Sequence, residues 1–279
     1  MNFLAAVEPV SRAQRAVGRL DLSFQARQGI TRIEKFYQEG CLKARLPRPV
    51  DEATCEAVTL NISGGVAGGD ALSTDIALGP GARAVVASQA AERVYRAFDA
   101  PSRITTSIAV GPGARLDYLP QETILFDGFS LRRDLDVELA ADADFLGVET
   151  ILFGRRAMGE VLRGGDLRDG VTLRRGGKIL LRDMTRLRGD IASQLARTAI
   201  GNGAAAMAAI ICAGPGAPAR LAGLRDVLEG AGINAGATSF EGIIFARLLA
   251  PDGATLRHCV IAALMFLRDG RPMPRVWQS

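Results

Sequence analysis

The most constraining feature of this 279-residue chain is that it repeats itself. Ile76-Ala-Leu-Gly-Pro-Gly-Ala-Arg83 returns as Ile108-Ala-Val-Gly-Pro-Gly-Ala-Arg115, an offset of 32 that also brings Gln89 onto Gln121. Asp117-Tyr-Leu-Pro-Gln-Glu122-Thr-Ile-Leu-Phe126 returns as Asp144-Phe-Leu-Gly-Val-Glu149-Thr-Ile-Leu-Phe153, an offset of 27. Self-similarity at such a period marks stacked structural units. The units read as strands, because the runs are short, β-branched and punctuated by glycine. A Gly-Pro-Gly turn fixes φ at proline and frees it at each glycine, which suits chain reversal. In a stack, equivalent side chains lie above one another, so Glu122 and Glu149 read first as a repeated structural position and second as a carboxylate ladder. Such a ladder needs a cation, an arginine or a file of water to relieve its repulsion.

Strand alternation also marks Gly18 to Phe24, within a strand region from Arg19 to Leu46, and Val58 to Ser63. Beyond residue 190 the chain turns alanine-rich. Helical spacing covers Pro218 to Gly230, Phe240 to Leu249 reads as a strand, and Leu256, Val260, Leu264 and Leu267 mark an amphipathic helix over Ala254 to Arg268. The Pro-rich Arg271-Pro-Met-Pro274 ends it. The expected fold is mainly β, a stacked β-helical or β-solenoid-like architecture with about two α-helices in the C-terminal third. It forms one domain over 1–279, with a β-rich stack over about 15–190 and a helix-containing part over about 191–279.

Composition removes several functions. One histidine, His258, excludes a multi-His metal site within the chain, and Cys41, Cys55, Cys212 and Cys259 form no CxxC pair. Basic and acidic residues, 34 against 30, are interspersed, and only three of the cations are lysine. Arginine favours bidentate pairing with carboxylates. Aromatics at 5% are too few for base-stacking platforms, so no nucleic-acid partner is expected. The longest apolar run, near Ala204 to Ala213, is about half a membrane span. Met1 to Val10 does not read as a leader, and a cytoplasmic location is expected.

Gly64-Gly-Val-Ala-Gly-Gly-Asp70 lacks the Lys-Ser/Thr ending of a phosphate loop. It reads first as a tight crossover and second as backbone that lets Asp70 line a narrow passage. His258 and Cys259, adjacent on a helix, point about 100° apart and make no dyad. Asp127 and Glu160 keep a carboxylate-dependent hydrolase open. A β-solenoid structural or ligand-binding protein also stays open, although the aromatic ladders it would show are absent from the sequence.

Several blocks, in order, resemble the UreD (UreH) urease accessory protein family: Tyr37 to Arg45, Asn61 to Asp70, Ser88 to Arg96, Leu119 to Asp127, Phe153 to Glu160 and Arg174 to Lys178. The resemblance covers most of the chain. It implies a β-helical stack with a couple of helices and a non-enzymatic role. The implied partners are the urease apoprotein, UreF and, through UreF, the GTPase UreG, with a dimer of heterocomplexes allowed. It also implies passage of Ni²⁺ along a tunnel lined by polar and acidic residues, held transiently rather than as a bound cofactor. Asp70 matches the acid that ends the Gly-rich loop, Glu149 an acid after the Phe-Leu-Gly turn, and Asp183 a later acid. Glu92 departs from the family's small hydroxyl, which either adds a carboxylate to the path or points the site elsewhere. Glu56, placed by alternation ahead of the loop, completes the expected path.

Overall fold

The computed structural model describes residues 15–49, 51–155 and 158–278; the reading of Met1 to Val10 lies outside them. The chain enters through β1 (Val17–Arg27), β2 (Ile30–Gly40), β3 (Leu42–Arg45) and β4 (Cys55–Asn61). Three successive coils follow. The first is β5 (Ala71–Leu78), β6 (Arg83–Ser88) and β7 (Glu92–Val94). The second is β8 (Ser102–Val110), β9 (Arg115–Leu119) and β10 (Thr123–Leu125). The third is β11 (Phe129–Leu139) and β12 (Asp144–Phe153). The chain continues through β13 (Gly165–Arg175), β14 (Lys178–Arg188), β15 (Ala206–Ala213), β16 (Asn234–Phe240) and β17 (Ile243–Ala250), with helices α1 (Ile191–Ala196), α2 (Leu221–Gly230) and α3 (Gly253–Leu267).

Stacking the coils builds two facing sheets. One runs β14-β13-β11-β8-β5-β1-β2, and the other runs β16-β17-β15-β12-β9-β6-β4-β3 with β10 and β7 attached at its corner. The fold is therefore the mainly β, solenoid-like stack expected, with its helices in the C-terminal part. The offset of 32 is the pairing register itself: Ala71 lies beside Arg103, and Arg83 beside Arg115. The offset of 27 is not. Arg115 lies beside Asp144 and Thr123 beside Ile151, so the true shifts are 29 and then 28. The cause is a corner. Pro120 to Glu122 separates β9 from β10, whereas β12 runs straight through the same level. Glu122 and Glu149 consequently do not stack; Glu122 faces outward to Arg257, 2.8 Å away.

The C-terminal third differs from expectation in two details. The strand expected from Phe240 is a hairpin, β16 and β17, turned at Glu241 and Gly242, both with positive φ. The short helix α1, capped by Asp190, carries too few residues to show a period. Asp252 caps α3 by accepting from the Thr255 backbone N–H at 2.7 Å.

Two cores result. Leu20, Phe24, Phe129, Leu131, Phe145 and Ile151 fill the space between the sheets. Leu224, Leu228, Ile210, Ile244, Leu248 and the α3 stripe fill the space between the outer face of the second sheet and the helices. Each such side chain contributes about 1.5–3 kcal/mol on burial. Gly223 permits the close approach of α2 to α3, since a Cβ there would sit 2.5 Å from the Phe266 ring. The apolar α3 stripe is therefore buried inside the chain. The face α3 presents to solvent is Ala254, His258, Ala262, Met265 and Phe266. Among the described residues, no helix is long and apolar enough to cross a membrane.

Candidate functional site

The inner faces of the sheets are mainly apolar, and three buried charges interrupt them. Successive inward residues of β11 are Phe129, Leu131, Arg133, Leu135, Val137 and Leu139, all buried. Arg133 is the one charge in that phase. Asp169 interrupts the inward phase of β13 between Leu167 and Val171, and Glu149 that of β12 between Phe145 and Ile151. Register then gathers them. Arg133 pairs laterally with Asp169, and Asp169 with Thr185 of β14. Glu149 arrives from the opposite sheet.

The resulting cluster is tight. Arg133 donates Nε and Nη2 to the two Asp169 oxygens at 2.7 and 2.9 Å, and Nη1 to Thr123 Oγ1 at 2.9 Å. Glu149 Oε2 lies 2.6 Å from Arg133 Nη1, yet has no aligned hydrogen bond. The cluster holds two carboxylates and one guanidinium, each only 8% exposed. Burial opposes the charge on Arg133, but Asp169 and Glu149 outweigh it and hold the guanidinium protonated. Burial pushes Glu149 up to about 7; Arg133 pulls against this and Asp169 adds to it. We give burial the greater weight despite the short contact, because one guanidinium is shared between two acids. Tyr118, raised by burial and by the Glu149 charge, bonds Thr106 beside the cluster.

Neighbours extend the cluster both ways. Toward the open end of the stack, Arg247 of β17 donates Nη1 to Thr185 at 3.2 Å and Nη2 to Asp183 at 2.5 Å, and this pair is part-exposed. In the other direction, Thr123 pairs laterally with Glu92 of β7. Glu92 accepts from Asn61 Nδ2 at 3.1 and 3.2 Å. Burial raises its pKa, and the charge of Asp70 adds to the rise. Of the five expected acids, Glu149 lies in the cluster, Asp183 is joined through Arg247 to Thr185 beside Asp169, Glu92 lies on the strand beside Thr123, and the charge of Asp70 acts on Glu92. Glu56 is apart from these. It lies on the outer face of the second sheet, in a 70 Å³ pocket with Arg268 and Arg271, and burial raises its pKa.

Asp70 also has a structural task. Its oxygens accept from the Ala16 and Ala67 backbone N–H groups at 2.8 and 2.7 Å, tying the Gly-rich crossover to the start of β1. Gly65 is required within that crossover: φ is +143°, and a Cβ would lie 2.4 Å from the Tyr95 ring. Sequence reasoning missed Arg133, Asp169 and Arg247. The signal present was a charge on the apolar phase of an alternating strand.

The hydrolase pair is otherwise engaged. Asp127 accepts from the Arg163 and Gly164 backbone N–H groups and pairs with Arg96. Glu160 accepts from Asp127 N and Arg155 N, and these bonds with the Arg155 guanidinium outweigh its burial and lower its pKa. His258 is exposed and Cys259 buried, so the two point apart. Among the described residues, no three His, Cys, Asp or Glu side chains converge as a metal cage.

Stack, helical layer and buried ionic cluster define a β-solenoid-like protein whose inner acids share arginines. The particular kind follows from comparison: the chain belongs to the UreD urease accessory protein family, whose model matches residues 16–278. It is 43% identical to urease accessory protein UreD of Rhizobium leguminosarum bv. viciae, over 98% of this chain and 99% of that one. It is 44% identical to UreD of Rhizobium rhizogenes strain K84, over 96% and 97%. With UreD of Xanthobacter autotrophicus strain Py2 it shares 43% identity, over 95% and 91%.

Proposed function

We propose that this urease accessory protein binds the urease apoprotein and UreF, reaches UreG through UreF, and passes Ni²⁺ along an interior file of these acids to the urease active site. It acts as a non-enzymatic scaffold and conduit in the cytoplasm. The observation that carries the reading is a run of neighbours: Asp183 is held by Arg247, which also reaches Thr185 beside Asp169; Asp169 and Glu149 share Arg133; and Thr123, bound to Arg133, lies beside Glu92, on which the charge of Asp70 acts. Excess buried negative charge calls for a cation or a proton. Oxygen donors without imidazole or thiolate hold Ni²⁺ loosely, and an ion that must leave each site needs loose sites.

The partner surfaces follow from what the fold leaves open. The solvent face of α3, with His258, Ala262, Met265 and Phe266, is the surface we assign to UreF. Glu149→Gln combined with Asp183→Asn tests the conduit: complexes with urease and UreF should form normally while nickel-dependent urease activation falls. Normal activation by intact variant complexes would overturn the reading.

A further inference from the structure

The interior file contains its own obstacle. A guanidinium sits midway along it, fixed by Asp169, Thr123 and the charge contact with Glu149. A cation arriving at Glu149 from either side meets that positive charge at hydrogen-bonding distance in a site of low polarizability, where like charges repel strongly. The anchoring is uneven. Toward Asp169 the guanidinium makes a two-point fork, the strong form of this pairing. Toward Glu149 it has proximity without an aligned hydrogen bond. The Glu149 side is the one at which the contact can be exchanged with the least loss.

We propose that Arg133 is a tethered surrogate cation that closes the file: it occupies the coordination space between Glu149 and Asp169, and a divalent cation enters only as the guanidinium gives up Glu149. This rests on the conduit reading and adds to it a gate and a residue. The chemistry is exchange of one positive partner for another at a carboxylate, with no bond to carbon made or broken. Arg133 belongs to a central strand and Asp169 to its neighbour, so the gate sits within the rigid stack rather than on a loop.

The test is Ni²⁺ binding by the full-length chain, measured by equilibrium dialysis against nickel chloride, in the complex with its partners or alone. Arg133→Met should gain a site, with affinity raised by at least about tenfold over the parent. Arg133→Lys, which keeps the charge, should behave like the parent. Arg133→Met combined with Glu149→Gln should lose the gain. If Arg133→Met does not fold, Arg133→Gln, whose amide can still donate to Asp169, is read in the same way. A purely structural arginine predicts lower melting temperatures in these variants and unchanged Ni²⁺ binding, and that result overturns the gate. Activation assays with Glu149→Gln separate the two ideas. Blocked activation with unchanged binding in Arg133→Met removes the gate and leaves the conduit; normal activation removes the conduit itself.

Discussion

Among the described residues, one buried ionic cluster on each face of the second sheet invites comparison, because the two are biased in opposite directions. On the outer face, Asp117 is 1% exposed and has three arginines around it: Arg268 at 2.9 Å, Arg271 at 3.2 Å and Arg115 at 3.7 Å. On the inner face one arginine, Arg133, serves two acids, Asp169 and Glu149. The outer cluster is a fastener. Arg268 and Arg271 belong to the segment following α3, and Arg268 also reaches the Arg271 and Pro272 carbonyls, so one carboxylate holds the end of the chain against β9. The inner cluster is short of positive charge and is poised to take up more. The same residue types therefore do different work, decided by which charge is in excess.

The largest effect should come from breaking the fastener. Asp117→Ala leaves the buried Arg268 guanidinium without its carboxylate and should cost about 3–5 kcal/mol. Trp277, the single tryptophan, donates Nε1–H to the Leu119 carbonyl at 2.9 Å and packs under Arg257. Its fluorescence therefore reports the same event: a red-shifted emission is expected in native buffer. Unchanged emission and unchanged denaturant midpoint would show that the apolar layer alone holds the segment.

The inner cluster should show its bias in pH. Glu149 titrates near 4.5 when unfolded and at about 7 when folded, so the folded state binds more protons between those values. Stability is then greatest below about 4.5 as far as this group is concerned, and is lost as pH rises toward 7. Glu149→Gln should flatten that slope in denaturant titrations taken from pH 5 to pH 7. A slope as steep in the variant as in the parent would assign the titration elsewhere.

The smallest effect on stability is expected at the solvent face of α3. Met265→Glu and His258→Glu should each change stability by less than about 0.5 kcal/mol. They should nonetheless weaken UreF capture, read by co-purification. Deleting the helix would be a poor test, since Leu256, Val260, Leu264 and Leu267 are core residues.

The contrast between the clusters also explains what the sequence could and could not reveal. The stack was legible because Gly-Pro-Gly turns recur with identical flanks at the true register of 32. The second repeat misled because similar residues align at 27, while a corner present in one coil and absent from the next sets the pairing at 29 and 28. Asp70, Glu149 and Asp183 are expected from family likeness, and Glu92 as a departure from it. Glu56 followed from alternation, and it lies on the other face of the sheet. Arg133 was legible in principle as the single charge on the otherwise apolar phase of β11, and Asp169 as a charge between Leu167 and Val171 of β13. Their meeting was not, because it depends on parallel pairing across 36 residues of chain. The three-arginine fastener was likewise hidden, since Asp117 and Arg268 are 151 residues apart.

The most direct test of the central claim is nickel-dependent urease activation by complexes carrying Glu149→Gln, with Asp117→Asn as the control on the other face of the same sheet. The account predicts that Glu149→Gln complexes assemble in full and activate poorly at limiting Ni²⁺, whereas Asp117→Asn lowers thermal stability and spares activation per assembled complex. Full activation by Glu149→Gln, at limiting nickel and with assembly intact, would contradict it.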